Sequence, residues 1–162
     1  MAVIQAPLSR YKRHNYLILI AIFIACVVIF GYDGYLSKYD WSHRQAFYKE
    51  HVTDNGGVPD TDMKFNLYSP PVFLAAAIVL AVRFFMVRDK NLTADESALH
   101  IDNRIDIPYT SIESINKTYF DKKGYFILTY KDAQQKEQQV TLSDRTYDNL
   151  PTLLDTLISK IS

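Results

Sequence analysis

Residues 15–32 read NYLILIAIFIACVVIFGY and residues 66–82 read NLYSPPVFLAAAIVLAV, two uncharged apolar stretches on either side of a polar loop. A helix rises about 1.5 Å per residue, so each stretch with its flanks can cross a hydrocarbon core of about 30 Å. The first is the clearer, since Tyr16 through Phe30 contains only Tyr, Leu, Ile, Ala, Phe, Cys and Val. The second continues from Leu67 to Val87, broken only by Arg83 near one end, where a long side chain can snorkel to the headgroups. The expected organisation is a tail at 1–14, a first transmembrane helix at 15–32, a loop at 33–66, a second transmembrane helix at 67–88 and a separate domain at 90–162.

A mean hydropathy of −0.11 resembles that of a water-soluble protein only because two concentrated apolar segments are averaged with a polar remainder. Eighteen basic and eighteen acidic residues cancel, with no cluster of one sign, so no nucleic acid partner is expected. The single cysteine, Cys26, excludes an internal disulfide and a thiolate zinc site. Arg10, Lys12, Arg13 and His14 precede the first apolar stretch as in a signal peptide, and Ile24-Ala25-Cys26 faintly resembles the end of a lipoprotein box. Phe23 stands where such boxes carry Leu or Val, and the chain stays apolar through Phe30, so an uncleaved anchor is expected.

Orientation follows from basic residues near the span ends. Arg10, Lys12 and Arg13 precede the first span and Arg83, Arg88 and Lys90 close the second, whereas the loop sets Lys38, Arg44, Lys49 and Lys64 against Asp33, Asp40, Glu50, Asp54, Asp60 and Asp62. Both termini are therefore expected in the cytoplasm and the loop outside. Arg10, Lys12, Arg13, Arg83 and Arg88 are the expected membrane anchors. Tyr32, Tyr35, Tyr39, Trp41 and Tyr68 suit an interfacial aromatic belt, and Pro70-Pro71 suits the first turn of the second helix.

Within the loop, Ser42 with Gln45 forms a capping-box pattern and His43, Phe47 and His51 recur at i, i+4 and i+8, which predicts a short helix over 42–52 ending in the turn Asp54-Asn55-Gly56-Gly57. A metal held by His43, His51 and Asp54 is not expected, because two histidines two turns apart do not share an ion. The aromatic residues Tyr35, Tyr39, Trp41, Phe47 and Tyr48 are instead the expected partner-binding surface.

From Asn91 the pattern changes to short alternating runs. Ala98 to Ile101 and Arg104 to Ile107 predict two strands joined at Asp102-Asn103; Ile112 to Phe120, Tyr125 to Tyr130 and Gln138 to Leu142 predict three more. Tyr147, Leu150, Leu153, Leu154, Leu157, Ile158 and Ile161 then recur at three and four, one apolar stripe of a helix starting near Asn149 or Leu150.

Leu92-Thr93, Ala98 to Ile101, Ile107-Pro108-Tyr109-Thr110-Ser111-Ile112-Glu113-Ser114-Ile115, Tyr125 to Tyr130 and Leu153 to Ile158 resemble the bacterial pleckstrin-homology-like (PH-like) domains that follow paired membrane helices. The resemblance covers about residues 90 to 162 and implies an antiparallel β-barrel or sheet closed by a C-terminal helix. The expected fold class is thus a membrane α-helical hairpin plus an α+β PH-like domain. PH-like folds share no catalytic machinery and often serve as platforms for proteins or lipids, although fold alone does not settle function. The basic hairpin of phosphoinositide binders is replaced here by Arg104 between Asp102 and Asp106, and Lys117, Lys122, Lys123 and Lys131 alternate with Asp121 and Asp132 as on a solvated face.

No phosphate loop, nucleophile elbow, zinc spacing or paired carboxylates in an apolar setting occurs. His14 and His100 read as structural, and the sequons at Asn91 and Asn116 fall on the cytoplasmic side, where they carry no glycan. The expected protein is a non-catalytic anchor, scaffold or accessory subunit of a larger complex in a bacterial inner membrane, with lipid as its solvent and no cofactor, metal or specific small-molecule ligand. The alternatives are a ligand or lipid sensor signalling through the PH-like domain and an enzyme subunit with a metal in the outer loop.

Overall fold

The structure, a computed structural model, describes residues 3–102 and 104–161. A strand β1 (Ile4–Pro7) leads into α1 (Arg10–Gly31), which runs on as one wider π-type turn over Tyr32–Leu36. A short α2 (Gln45–Tyr48), a second wide turn (Lys49–Thr53) and α3 (Thr61–Val87) follow. Then come β2 (Asn91–Ala94), β3 (Ala98–Ile101), β4 (Ile105–Pro108), a 3-10 turn (Tyr109–Ser111), β5 (Ile112–Asn116), α4 (Phe120–Lys123), β6 (Tyr125–Lys131), β7 (Glu137–Ser143) and α5 (Leu150–Ile161).

The chain forms two compact units, residues 15–84 and residues 1–14 together with 85–162. The first is the helical hairpin with its loop. α1 with its extension and α3 are each 27 residues long and apolar enough to cross a membrane. Rings interleave between the two helices: Tyr16 with Phe84, Phe23 with Phe73, and Phe30 with both Phe65 and Phe73, at centroid distances of 5.2 to 6.1 Å. α3 begins earlier than its apolar run, because the Asp60 carboxylate accepts the Met63 N–H at 2.9 Å and caps the helix there. Pro70-Pro71, expected in a first turn, therefore lies inside the helix.

The second unit is an antiparallel α+β structure. Its seven described strands make two separately hydrogen-bonded sheets, β1-β2-β3-β4 and β5-β6-β7, rather than one closed barrel. Side chains from both sheets and α5 share one core, in which Ala6, Leu92, Leu99, Ile107, Phe126, Leu128, Leu142, Leu150, Leu153 and Leu157 are sealed from solvent. The stripe read for the last helix is the face buried here, and Phe126 and Leu128 show the period-two alternation of a half-buried strand.

Two strands were not among those expected. β1 belongs to what read as a tail, yet it pairs antiparallel with β2 from Ile4↔Ala94 to Pro7↔Asn91. Beyond it, Leu8 N–H donates to the Lys90 carbonyl and Ser9 N–H to that of Thr146, while Pro7 accepts from Asp148 N–H. The strand expected over 112–120 stops at Asn116, whose side chain accepts the Thr118 N–H and turns the chain into α4. The β3–β4 turn keeps Asp102 in the left-handed region; Asn103, also placed in that turn, lies outside the described residues.

Since β1 and β2 are antiparallel neighbours, a short hairpin turn can replace residues 10–87 between them. Residues 3–9 joined in this way to 88–162 are expected to give a fragment with a cooperative thermal transition, and residues 90–162 alone, lacking buried Ala6 and Leu8, should melt at a lower temperature. Leu153→Ala in the joined fragment should cost about 2–5 kcal/mol in denaturant titration. Equal midpoints for the two fragments would refute the role of β1.

Candidate functional site

The connection between the long helices is built on the two prolines. Pro70 and Pro71 lack N–H groups, so the carbonyls of Asn66 and Leu67 have no helical donor. The Tyr35 hydroxyl donates to the Leu67 carbonyl at 2.6 Å. Gly34 packs directly on the Asn66 carbonyl, where any Cβ would overlap it. The wide turn at Tyr32–Leu36 presents both residues to α3.

Charged groups close the rest of the loop. Arg44 holds both oxygens of Asp33, Nε to Oδ1 and Nη2 to Oδ2, each at 2.8 Å, a bidentate pairing stronger than a single contact. Ser42 Oγ accepts the Arg44 N–H, but Gln45 turns to Asp40 instead of completing the capping box, and the helix predicted over 42–52 is reduced to α2 and the wide turn after it. His51 Nδ1 lies 2.7 Å from Asp60 Oδ2, which raises the His51 pKa above its ordinary value; the Met63 N–H and then His51 lower that of Asp60. His51 thus meets Asp60 and exposed Asp62, with ligand atoms within 4.8 Å of one another, and not His43 and Asp54. Both Asp60 oxygens are already engaged, one in the cap of α3 and one on His51.

Of the five aromatic residues expected to bind a partner, Tyr39 and Trp41 stand out as a stacked pair, ring centroids 5.7 Å apart and nearly parallel, with 44% and 64% exposure. Tyr35 is exposed, but its hydroxyl is committed to Leu67. Phe47 and Tyr48 are half-buried, Phe47 lying against the His51 ring at 4.2 Å and beneath the Arg44 guanidinium.

At the other helix ends, carboxylates do the organising. Asp148 accepts the Arg10 N–H at 3.0 Å, capping α1 from a residue 138 positions away. Asp102 bonds Lys90 Nζ at 2.6 Å, the Asn91 N–H at 3.1 Å and the Tyr147 hydroxyl at 3.1 Å. Burial, and then the Asp102 charge, push the Tyr147 phenol above its ordinary pKa. Lys90, counted among the basic flanks, is thus an internal partner of its own unit. Arg10, Arg13, Arg83 and Arg88 are exposed and Lys12 is half-buried; Arg88 lies over the Phe85 ring at 5.0 Å. Asp60 and Gly34 carried sequence signals, an Asp-Thr helix start and a glycine beyond an apolar run; Asp102 signalled only a turn, and nothing in the sequence pointed Asp148 toward α1.

His100 on β3 faces two carboxylates, Nδ1 at 2.6 Å from Asp106 and Nε2 at 2.9 Å from Asp95. Asp106 and then Asp95 raise the His100 pKa, while His100, followed by the Ser97 and Ala98 N–H groups, holds Asp95 well below the carboxylate range. A raised histidine pKa contributes stability that is complete below the unfolded value, about 6.5, and is lost as pH rises through the folded value. The thermal midpoint of the joined fragment should therefore decline on the alkaline side of about pH 6.5. His100→Gln should flatten that decline, and an unchanged slope would refute the assignment.

No protein-family model, curated protein or solved structure matches this chain.

Proposed function

We propose that this protein is a two-span membrane protein acting as a non-catalytic anchor, scaffold or accessory subunit, with a PH-like unit on the cytoplasmic face of a bacterial inner membrane. The observation that carries the subunit reading is the Tyr39–Trp41 pair, stacked and largely exposed on a loop otherwise closed by its own ion pairs. Aromatic residues presented in this way are the usual anchors of protein interfaces.

The membrane reading draws support from burial. Only 6% and 11% of the most apolar windows of the two helices are covered, and Leu17, Ile18, Ile22, Val28, Val72, Ile78 and Val82 are all more than 40% exposed. Apolar surface of that extent on a helix calls for lipid or a partner. The pairing of β1 with β2 supports a common side for both helix ends, independently of the basic flanks. Two sheets followed by one terminal helix are compatible with a PH-like arrangement. His100 has both ring nitrogens held by carboxylates, which supports a structural role for that residue.

In a Cys26→Ser background, a cysteine at Asn55 is expected to react with an impermeant thiol reagent in intact cells and one at Gln134 is not; the reverse pattern would overturn the topology. Isolated from native membranes in mild detergent, the protein should migrate with a larger companion. Tyr39→Ala with Trp41→Ala should release it while leaving it in the membrane fraction. A wild-type protein that runs as a bare monomer in several mild detergents would overturn the subunit reading.

A further inference from the structure

A cleft of about 700 Å³ opens within the unit of residues 1–14 and 85–162, lined by the first turn of α1, by α4 and by the turn after β7. Its size falls in the range of small-ligand sites, about 300–1,000 Å³. Three cationic side chains, Lys122, Lys123 and Arg145, and three carboxylates, Asp121, Asp144 and Asp148, line it. Asp148 is committed to the cap of α1, and Lys123 lies over the Tyr119 ring at 4.9 Å. Among the described residues no ion pair joins Lys122 or Arg145 to Asp121 or Asp144.

Opposite charges that share a cleft without pairing are complementary to a ligand that carries both signs. An anion alone would meet Asp121 and Asp144, and a cation alone would meet Lys122 and Arg145. A phosphate linked to a primary ammonium satisfies both sets: its oxygens accept from the lysine and the guanidinium, and its three N–H groups donate to the carboxylates. A choline headgroup has no N–H to give and favours aromatic cages. Tyr11, on the rim, precedes Asn15 by four residues, about 6 Å of helix rise. With α1 entering a bilayer at Asn15, Tyr11 lies at the headgroups.

We propose that this cleft binds a phosphoethanolamine group, supplied by the phosphatidylethanolamine of the surrounding membrane. The proposal rests on the membrane-spanning reading of α1. It goes beyond the anchor role, because it gives the PH-like unit a specific lipid contact.

The test uses the full chain in detergent with equal amounts of phosphatidylethanolamine, phosphatidylglycerol and phosphatidylcholine, and reads the retained lipid by native mass spectrometry. Phosphatidylethanolamine should be retained several-fold over the other two. Lys122→Ala with Arg145→Ala should abolish the preference, and Asp121→Asn should shift it toward phosphatidylglycerol. These side chains are exposed, so unchanged thermal midpoints are expected. A parallel arm adds soluble phosphoethanolamine to lipid-free protein: a midpoint shift there without lipid retention would keep the chemistry and assign its source to a free metabolite. Equal retention of the three lipids with no response to phosphoethanolamine, or a preference insensitive to the substitutions, would overturn the proposal. A chain found in the soluble fraction of cells would instead overturn the membrane reading, which separates the two failures.

Discussion

Four residue pairs, Ile4 to Pro7 against Asn91 to Ala94, close the chain around its two long helices. Backbone N–H and C=O groups on a buried strand have to be paired, and each hydrogen bond contributes about 0.5–1.5 kcal/mol net. Along β1 they are paired with residues more than eighty positions away. The consequence is geometric. α1 leaves the sheet two residues after β1, and α3 returns to it three residues before β2. The hairpin is in effect a long insertion in a strand-to-strand connection, with both ends tied to adjacent strands of one sheet. Asp148 and Asp102 reinforce those ends, one capping α1 and the other holding Lys90 and Asn91.

Within the hairpin the corresponding constraint is the Pro70-Pro71 pair. Two carbonyls without helical donors are costly wherever water is scarce, and the wide turn after α1 supplies a donor to one of them. Tyr35 donates to one carbonyl, and the absence of a side chain at Gly34 lets the backbone approach the other. Below the turn, rings of Phe23, Phe30, Phe65 and Phe73 make contacts between the helices, and Ala77 of α3 is buried.

The acidic residues divide by the work they do. Asp33, Asp60, Asp102 and Asp148 are each spent on a helix end, a turn or a bidentate arginine. Asp106, across the β3–β4 pair, and Asp95, in the turn before β3, fix His100. Against this internally paired background, the two surfaces that stand apart are the Tyr39–Trp41 stack on the loop and the mixed-charge cleft beside α4. They belong to different units of the chain and differ in chemistry, one aromatic and the other ionic.

The two long helices, the last helix and β6 were legible in the residues because each announces itself by a local pattern: an unbroken apolar run, a stripe at three and four, an alternation at two. The aromatic loop was legible as a composition, but not which of its rings are free. The partial burial of Phe47, for one, depends on where Arg44 and His51 come to rest. β1 and β2 were invisible for a physical reason. Four residues make a strand only when a partner supplies the other half of the ladder, and for Ile-Gln-Ala-Pro that partner follows the entire hairpin. The reach of Asp148 to the first turn of α1 and of Asp60 to His51, and the unpaired charges of the cleft, are likewise products of folding. No periodicity along the chain records which side chains the tertiary structure will bring within 3 Å of one another.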